Sequence, residues 1–161
     1  MITGDELLIR AKRLDGKWEK GYYVKASRKW HTNGFHEDWI ITSCVANGGW
    51  FSVIGRYAID PDTICRYTGI DDLYEYDIVL INVLGVKFYG IVRIGEYEVG
   101  KNPDLPVLHK GVYIEWIGHP GNGVAELLKE YRLTVVGNVF DDLETVKKEI
   151  ESKMKEVDSD E

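Results

Sequence analysis

The sequence predicts a mainly β fold, a small barrel or sandwich core of short antiparallel strands with a C-terminal amphipathic α-helix. Three observations predict it. About nine short strand-type segments are separated by turn signals every eight to twelve residues or so. Asp77 to Leu84 is a nearly unbroken apolar run of strand-forming type, delivered by an acidic turn at Asp71-Asp72. From Leu143 onward, apolar residues recur at three- and four-residue steps instead.

The elements follow in order. Leu7 to Arg13 alternates, with Leu7, Ile9 and Ala11 on one face and Leu8, Arg10 and Lys12 on the other. Asp15-Gly16 turns it back into Lys17 to Lys25 as a hairpin. Ser27 to Asp38 is polar and reads as an exposed loop. Asp38 to Val45 and Trp50 to Tyr57 flank Asn47-Gly48-Gly49, a strong hairpin signal. Pro61 fixes its own φ and holds Asp60 extended, so 58–63 turns the chain.

A short strand from Ile64 to Tyr67 leads into the acidic turn and the apolar run. Gly85 turns the chain into a return strand, Val86 to Ile94, where Gly90 marks a bulge or a close backbone approach. Glu96 to Pro106 is a polar connection. Lys110 to Ile117 alternates again, Gly118 to Gly123 breaks it, and Val124 to Tyr131 reads as two turns of helix. Leu133 to Phe140 is a last strand interrupted by Gly137. Asp141 then caps a helix carrying Leu143, Val146, Ile150, Met154 and Val157 on one face. Glu144–Lys148, Glu149–Lys153 and Glu151–Lys155 are supporting pairs, each contributing about 0.2–0.5 kcal/mol. The organisation is one all-β domain over 1–140, with hairpins over 1–57 and the core over 58–140, followed by a helix and acidic tail over 141–161.

Charge and composition bound the function. The 161 residues have a net charge of -7, yet residues 1–56 hold nine Lys and Arg against six Asp and Glu, while the rest is strongly acidic. Binding of nucleic acid over the whole surface is therefore disfavoured, and only the first third can supply a basic patch. Ten Tyr and five Trp against four Phe favour rings with a polar edge, suited to contact surfaces. Cys44 and Cys65 lack Cys-x-x-Cys spacing and sit in apolar settings, which points to buried thiols in a reducing compartment. The first ten residues, with Asp5 and Glu6, do not read as a signal peptide, and no apolar run approaches the roughly 20 residues that cross a bilayer. A cytoplasmic protein is expected.

The motifs Ile9-Arg10-Ala11-Lys12-Arg13-Leu14-Asp15-Gly16-Lys17-Trp18 with Gly21-Tyr22-Tyr23, then Ile59-Asp60-Pro61-Asp62-Thr63, then Tyr67-Thr68-Gly69-Ile70-Asp71 with Tyr74-Glu75-Tyr76-Asp77-Ile78-Val79, and finally Val135-Val136-Gly137-Asn138-Val139-Phe140-Asp141 resemble, in this order and spacing, those of the YopX family. The family pattern has Gly where this chain has Ala11 and Tyr76, and an Asn-Gly loop after Asp72 is missing. The segment from Arg28 to Trp50 is longer and more aromatic. The resemblance implies a phage or prophage protein of uncharacterised function, with SH3-like barrel character and a homo-oligomeric state. It carries over no catalytic residues. Gly69, Asp77, Gly137 and Asn138 match its most recognisable positions, and turn-building accounts for them.

Candidate chemistry is sparse. Asp60, Asp62, Asp71, Asp72, Glu75 and Asp77 could converge on a hard cation, although their spacing matches no EF-hand loop and turns use Asp anyway. His31 and His36 with Cys44 or Cys65 lack the paired ligands of a zinc site. Gly118 to Gly123 lacks the residues of a phosphate-binding loop. Arg28-Lys29-Trp30-His31 with Trp18, Tyr22, Tyr23, Trp39 and Trp50 is the sharper pattern, since interleaved rings and cations suit unpaired bases, although alternating aromatics on strands more often serve a barrel core or a protein interface. No nucleophile elbow or local Cys–His signature is present. The sequence therefore predicts no enzyme, no cofactor and no metal, but a protein-binding and self-assembling module. The partner would be a second copy, or a host or phage protein. Single-stranded nucleic-acid binding by the basic, aromatic first third is the alternative, and a metal-dependent enzyme the remote one.

Overall fold

A computed structural model describes residues 8–26, 36–48, 50–99, 107–118, 123–127 and 131–158. The chain divides into two compact units, residues 1–74 and 75–161. Each unit is built on one antiparallel sheet, and among the described residues a single α-helix closes the second. The mainly β class with a C-terminal helix is thus what the chain adopts. The first unit runs through Tyr74, and the short strand after Pro61 adds to its sheet.

Unit 1 orders its strands β4-β3-β2-β1-β5. They are β1 (Leu8–Lys12), β2 (Trp18–Lys25), β3 (Asp38–Asn47), β4 (Trp50–Ala58) and β5 (Cys65–Arg66). Strand β1 alternates as its sequence predicts, with Ile9 and Ala11 buried and Leu8, Arg10 and Lys12 turned the other way. Ile9 and Ala11 join Ile40 and Ile59 in a core cluster against which Tyr23, Tyr57 and Ile64 pack. Asp60 caps a 3-10 turn over Pro61–Thr63, its carboxylate accepting the Asp62 N–H at 3.0 Å.

The acidic turn that follows is itself a small hairpin. Tyr67 and Tyr74 form a bridge, Thr68 N–H donates to the Leu73 carbonyl, and the Tyr67 hydroxyl donates to the Asp71 carbonyl at 2.7 Å. Gly69 sits at φ 79° there, where a side chain would be strained.

Unit 2 orders its strands β10-β6-β7-β8-β9. They are β6 (Asp77–Val83), β7 (Val86–Val99), β8 (Val107–Ile117), β9 (Val124–Glu126) and β10 (Arg132–Asn138). The apolar run is β6, and its residues are buried on both faces: Ile78, Val79 and Ile81 have no exposure. Strand β7 extends five residues beyond the predicted Ile94, because Glu96–Val99 find ladder partners in Val107–Lys110. The two turns of helix predicted over 124–131 include residues 128–130, outside the described residues, and the described start of that segment is not helical. Val124–Glu126 is β9 instead, paired with Tyr113–Glu115, so tertiary pairing overrides local propensity. Gly90 is a close approach, since a Cβ there would collide with the Ile114 side chain. Gly137 lies at a register shift in β10.

Neither sheet closes on itself among the described residues. The barrel alternative is corrected to two open sheets, whose edge strands β5 and β9 have only two and three residues and offer too short a ladder for closure.

Helix α1 (Leu143–Asp158) starts one residue later than the predicted Asp141 cap allows. Asn138 organises that junction: its side-chain oxygen accepts the N–H groups of Phe140 and Asp141, and Asp142 returns a carboxylate to the Asn138 N–H at 2.9 Å. Asp142 therefore occupies the cap position, its carbonyl accepting the Val146 N–H. The helix docks through buried Val146 and through Ile150, which lies over Gly118. The Tyr89 hydroxyl donates to Glu149, which also pairs with Lys153 at 2.6 Å. Glu144 reaches Lys147 and not the expected Lys148.

Tyr76 sets the entry to β6 in an unusual backbone state, φ 69°. Its N–H donates to the Val92 carbonyl, its own carbonyl accepts the Val139 N–H, and its ring meets Phe140 edge-on with the Arg93 guanidinium 4.9 Å from its centre. A Gly would adopt this conformation without strain, and here the ring contacts offset the strain of Tyr.

Candidate functional site

The antiparallel register of unit 1 decides which side chains share a face, because directly opposed residues point the same way. Leu8 pairs with Tyr22, Arg10 with Lys20 and Lys12 with Trp18. Tyr22 and Val24 pair in turn with Ile41 and Trp39, and Ile41 with Arg56. One face of β1–β4 thus collects Arg10, Lys12, Lys20 and Arg56 together with Trp18, Tyr22 and Trp39. The opposite face carries the Ile9, Ala11, Ile40 and Ile59 core.

The cations and rings are interleaved, not merely adjacent. The Arg10 guanidinium lies 5.2 Å from the Trp18 ring centre and 5.0 Å from that of Tyr74. Lys12 Nζ lies 5.4 Å from Trp18, and Lys20 Nζ 5.3 Å from Tyr74. Arg56 lies 5.5 Å from the Trp39 ring, whose Nε1 donates to the His36 carbonyl. Such a contact contributes about 0.5–1 kcal/mol at an exposed site, as for Arg56, and more where the ring is buried, as for Tyr74 at 3% exposure. Tyr22 is 54% exposed, Lys20 and Arg56 are exposed, and Val24 extends the patch. A flat sheet face with rings and fixed positive charge can take a flexible polyanion and offer it surfaces to stack on.

Asp72 enters this face as the partner of Lys20, at 2.6 Å. The other candidate metal ligands are similarly engaged in local structure. Asp60 caps the 3-10 turn, and Glu75 and Asp77 are buried at the start of unit 2. Among the described residues no three His, Cys, Asp or Glu side chains gather as metal ligands would. Cys65 is buried with its thiol against the Thr63 carbonyl. His31, the Arg28 to His31 run and most of Gly118 to Gly123 lie outside the described residues, and Gly118 ends β8.

Of the aromatic and basic pattern read from sequence, the structure brings Trp18, Tyr22 and Trp39 together. It sends Tyr23 to the opposite face, where its hydroxyl donates to Asp38. Burial, that hydrogen bond and the nearby carboxylates raise the Tyr23 pKa to about 12. Arg10, Lys12, Lys20, Arg56 and Tyr74 were missed as members of the site. The alternation of β1 and β2 could have placed Lys20 with Arg10, but nothing local in the sequence indicates Arg56 or Tyr74.

A second feature of unit 1 is an open groove of about 410 Å³ between Arg13, His36, Asp38 and Pro61. Its charges are mixed and largely used within the fold: Arg13 pairs with Asp15 at 2.7 Å and Glu19 at 3.4 Å while lying on the Tyr57 ring. No helix among the described residues is long and apolar enough to cross a membrane. The chain matches no family model, and no curated protein or solved structure is significantly similar to it.

Proposed function

We propose that the protein is a binding module that takes an anionic partner on the cation-and-ring face of unit 1, and that it binds rather than catalyses. The single observation that carries this reading is the segregation of Arg10, Lys12, Lys20 and Arg56 with Trp18, Tyr22 and Trp39 on one face of β1–β4. A chain of net charge -7 has no general reason to adhere to a polyanion, so any such affinity must come from a local patch. Within this proposal, the resemblance to the YopX family makes the protein a phage or prophage accessory factor in the bacterial host cytoplasm.

Retention on a sulfated polysaccharide matrix at low salt tests the reading. The native protein is expected to bind and to elute as salt rises. The double variant Lys20→Glu, Arg56→Glu should flow through, while Lys87→Glu, the same kind of charge change on an exposed position of unit 2, should behave as native. Passage of the native protein without retention would overturn the proposal.

Self-assembly is a second reading, favoured by the edge strand β10. Val135 and Val136 are 47% and 42% exposed there, and Phe140 follows at 37%. Solution mass decides it: an oligomer is expected to shift to monomer in Val135→Lys, and a monomeric native protein at high concentration removes the idea.

A further inference from the structure

We infer that the anionic partner of the unit 1 face is single-stranded nucleic acid; this rests on the platform reading above and names its ligand. Two features of the face favour a nucleic-acid strand over an acidic protein surface. The first is the pairing of charge with planar surface. Exposed Tyr22 and the exposed Arg56 guanidinium beside the Trp39 ring are surfaces on which a base can stack, while Arg10, held between the Trp18 and Tyr74 rings, and Lys12 add charge that meets the phosphates. An acidic protein would need pockets of its own to match these rings, whereas an unpaired strand brings a planar partner with every base.

The second is shape. The face is formed by four antiparallel strands about 4.8 Å apart, so its rings lie across a broad surface and not on a narrow ridge. A duplex hides the faces of its bases inside a stack, so rings on this face would find only groove edges and phosphates there. An unpaired strand can splay its bases onto exposed Tyr22 while its backbone runs past Lys20 and Arg56. Sequence preference is expected to be slight, because stacking and phosphate contact are open to every base.

The decisive measurement is fluorescence anisotropy with labelled oligothymidylate of about 15 nucleotides, a length within or near the span one small sheet platform can cover. Inorganic polyphosphate, polyglutamate and a DNA duplex serve as competitors. The oligonucleotide is expected to bind, to quench tryptophan emission, and to resist competition by the other three. Its log affinity should fall with log salt at a slope of about -2 to -3, as three or four phosphate contacts require. Tyr22→Ala should weaken it about 5- to 100-fold without changing the retention of the protein on the sulfated matrix. Lys20→Glu with Arg56→Glu should abolish both.

Equal competition by polyphosphate, with Tyr22→Ala indistinguishable from native, would overturn the nucleic-acid inference and leave the anionic platform standing. Preferential displacement by polyglutamate or by duplex would overturn it in favour of those partners. Absence of binding to the oligonucleotide and to the sulfated matrix alike would sink both proposals.

Discussion

The two sheets of this chain use their faces differently, and the difference starts in the strands. In unit 1, β1 reads Leu8-Ile9-Arg10-Ala11-Lys12 and buries every second residue, so one face makes the core and the other is left polar. In unit 2, β6 reads Asp77-Ile78-Val79-Leu80-Ile81-Asn82-Val83 and buries consecutive residues, so both faces are apolar at the centre of the sheet. Neighbouring strands follow suit: Ile91 is 7% and Val92 0% exposed on β7. A strand buried on both sides has no side chains to spare for a ligand. A strand buried on one side has half of its side chains free for recognition, and that is where the cations and rings of this protein are found.

The sharpest way to break this contrast is a cavity in the strand buried on both faces. Ile81→Ala, within unit 2, is expected to cost about 2–5 kcal/mol, read from the midpoint of urea unfolding. A loss below about 1 kcal/mol would mean that the two-sided burial of β6 carries little of the stability.

Next in size is Gly90→Ala, where the new methyl meets the Ile114 side chain across β7 and β8. Overpacking of this kind costs about 1–3 kcal/mol, and a neutral result in thermal unfolding would show that the strands can part at no expense. Tyr76 sharpens the comparison differently. Both Tyr76→Ala and Tyr76→Gly lose the ring contacts, but only Gly relaxes the positive φ, so the Gly variant should be the more stable of the two by about 1 kcal/mol. Equal stability would deny that the backbone is strained.

Smaller effects belong to unit 1. Tyr23 titrates near 10 in an unfolded chain and is pushed up to about 12 in the fold. Its contribution is present in full below about pH 10 and is lost as pH rises through the folded value, because the unfolded chain releases the proton first. Native protein should therefore lose stability between about pH 10 and 12, and Tyr23→Phe should flatten that limb. Smallest of all, Tyr22→Ala should shift stability by no more than about 0.5 kcal/mol, since the ring faces solvent. A large loss would place Tyr22 in the core and remove it from the recognition face.

Much of this was legible in the sequence. Hairpin turns at Asp15-Gly16 and Gly85, the strand at Asp77, the close approach at Gly90 and the terminal helix all announced themselves through local chemistry. The strand at Val124 did not, because Ala-Glu-Leu-Leu-Lys-Glu favours helix in isolation and only the ladder with Tyr113–Glu115 turns its first residues into a strand. The cap at Asp142 was misplaced by one residue because Asn138 draws Asp141 into its own turn. As for the recognition face, the basic first third and its rings were visible as composition. Tyr23 was grouped with them although its register turns it to the core side.

By itself the sequence determined the periods: two along β1, continuous burial along β6, and three-to-four along α1, since each is a property of neighbouring residues alone. Only the tertiary structure decided which distant side chains meet. Arg56 reaches Trp39, and Tyr74 lies beneath Arg10 and Lys20, through strand register and the hairpin that follows β5. The physical reason is that a ladder transmits facing across strands by hydrogen bonds between residues far apart in the chain, and no local preference encodes that pairing.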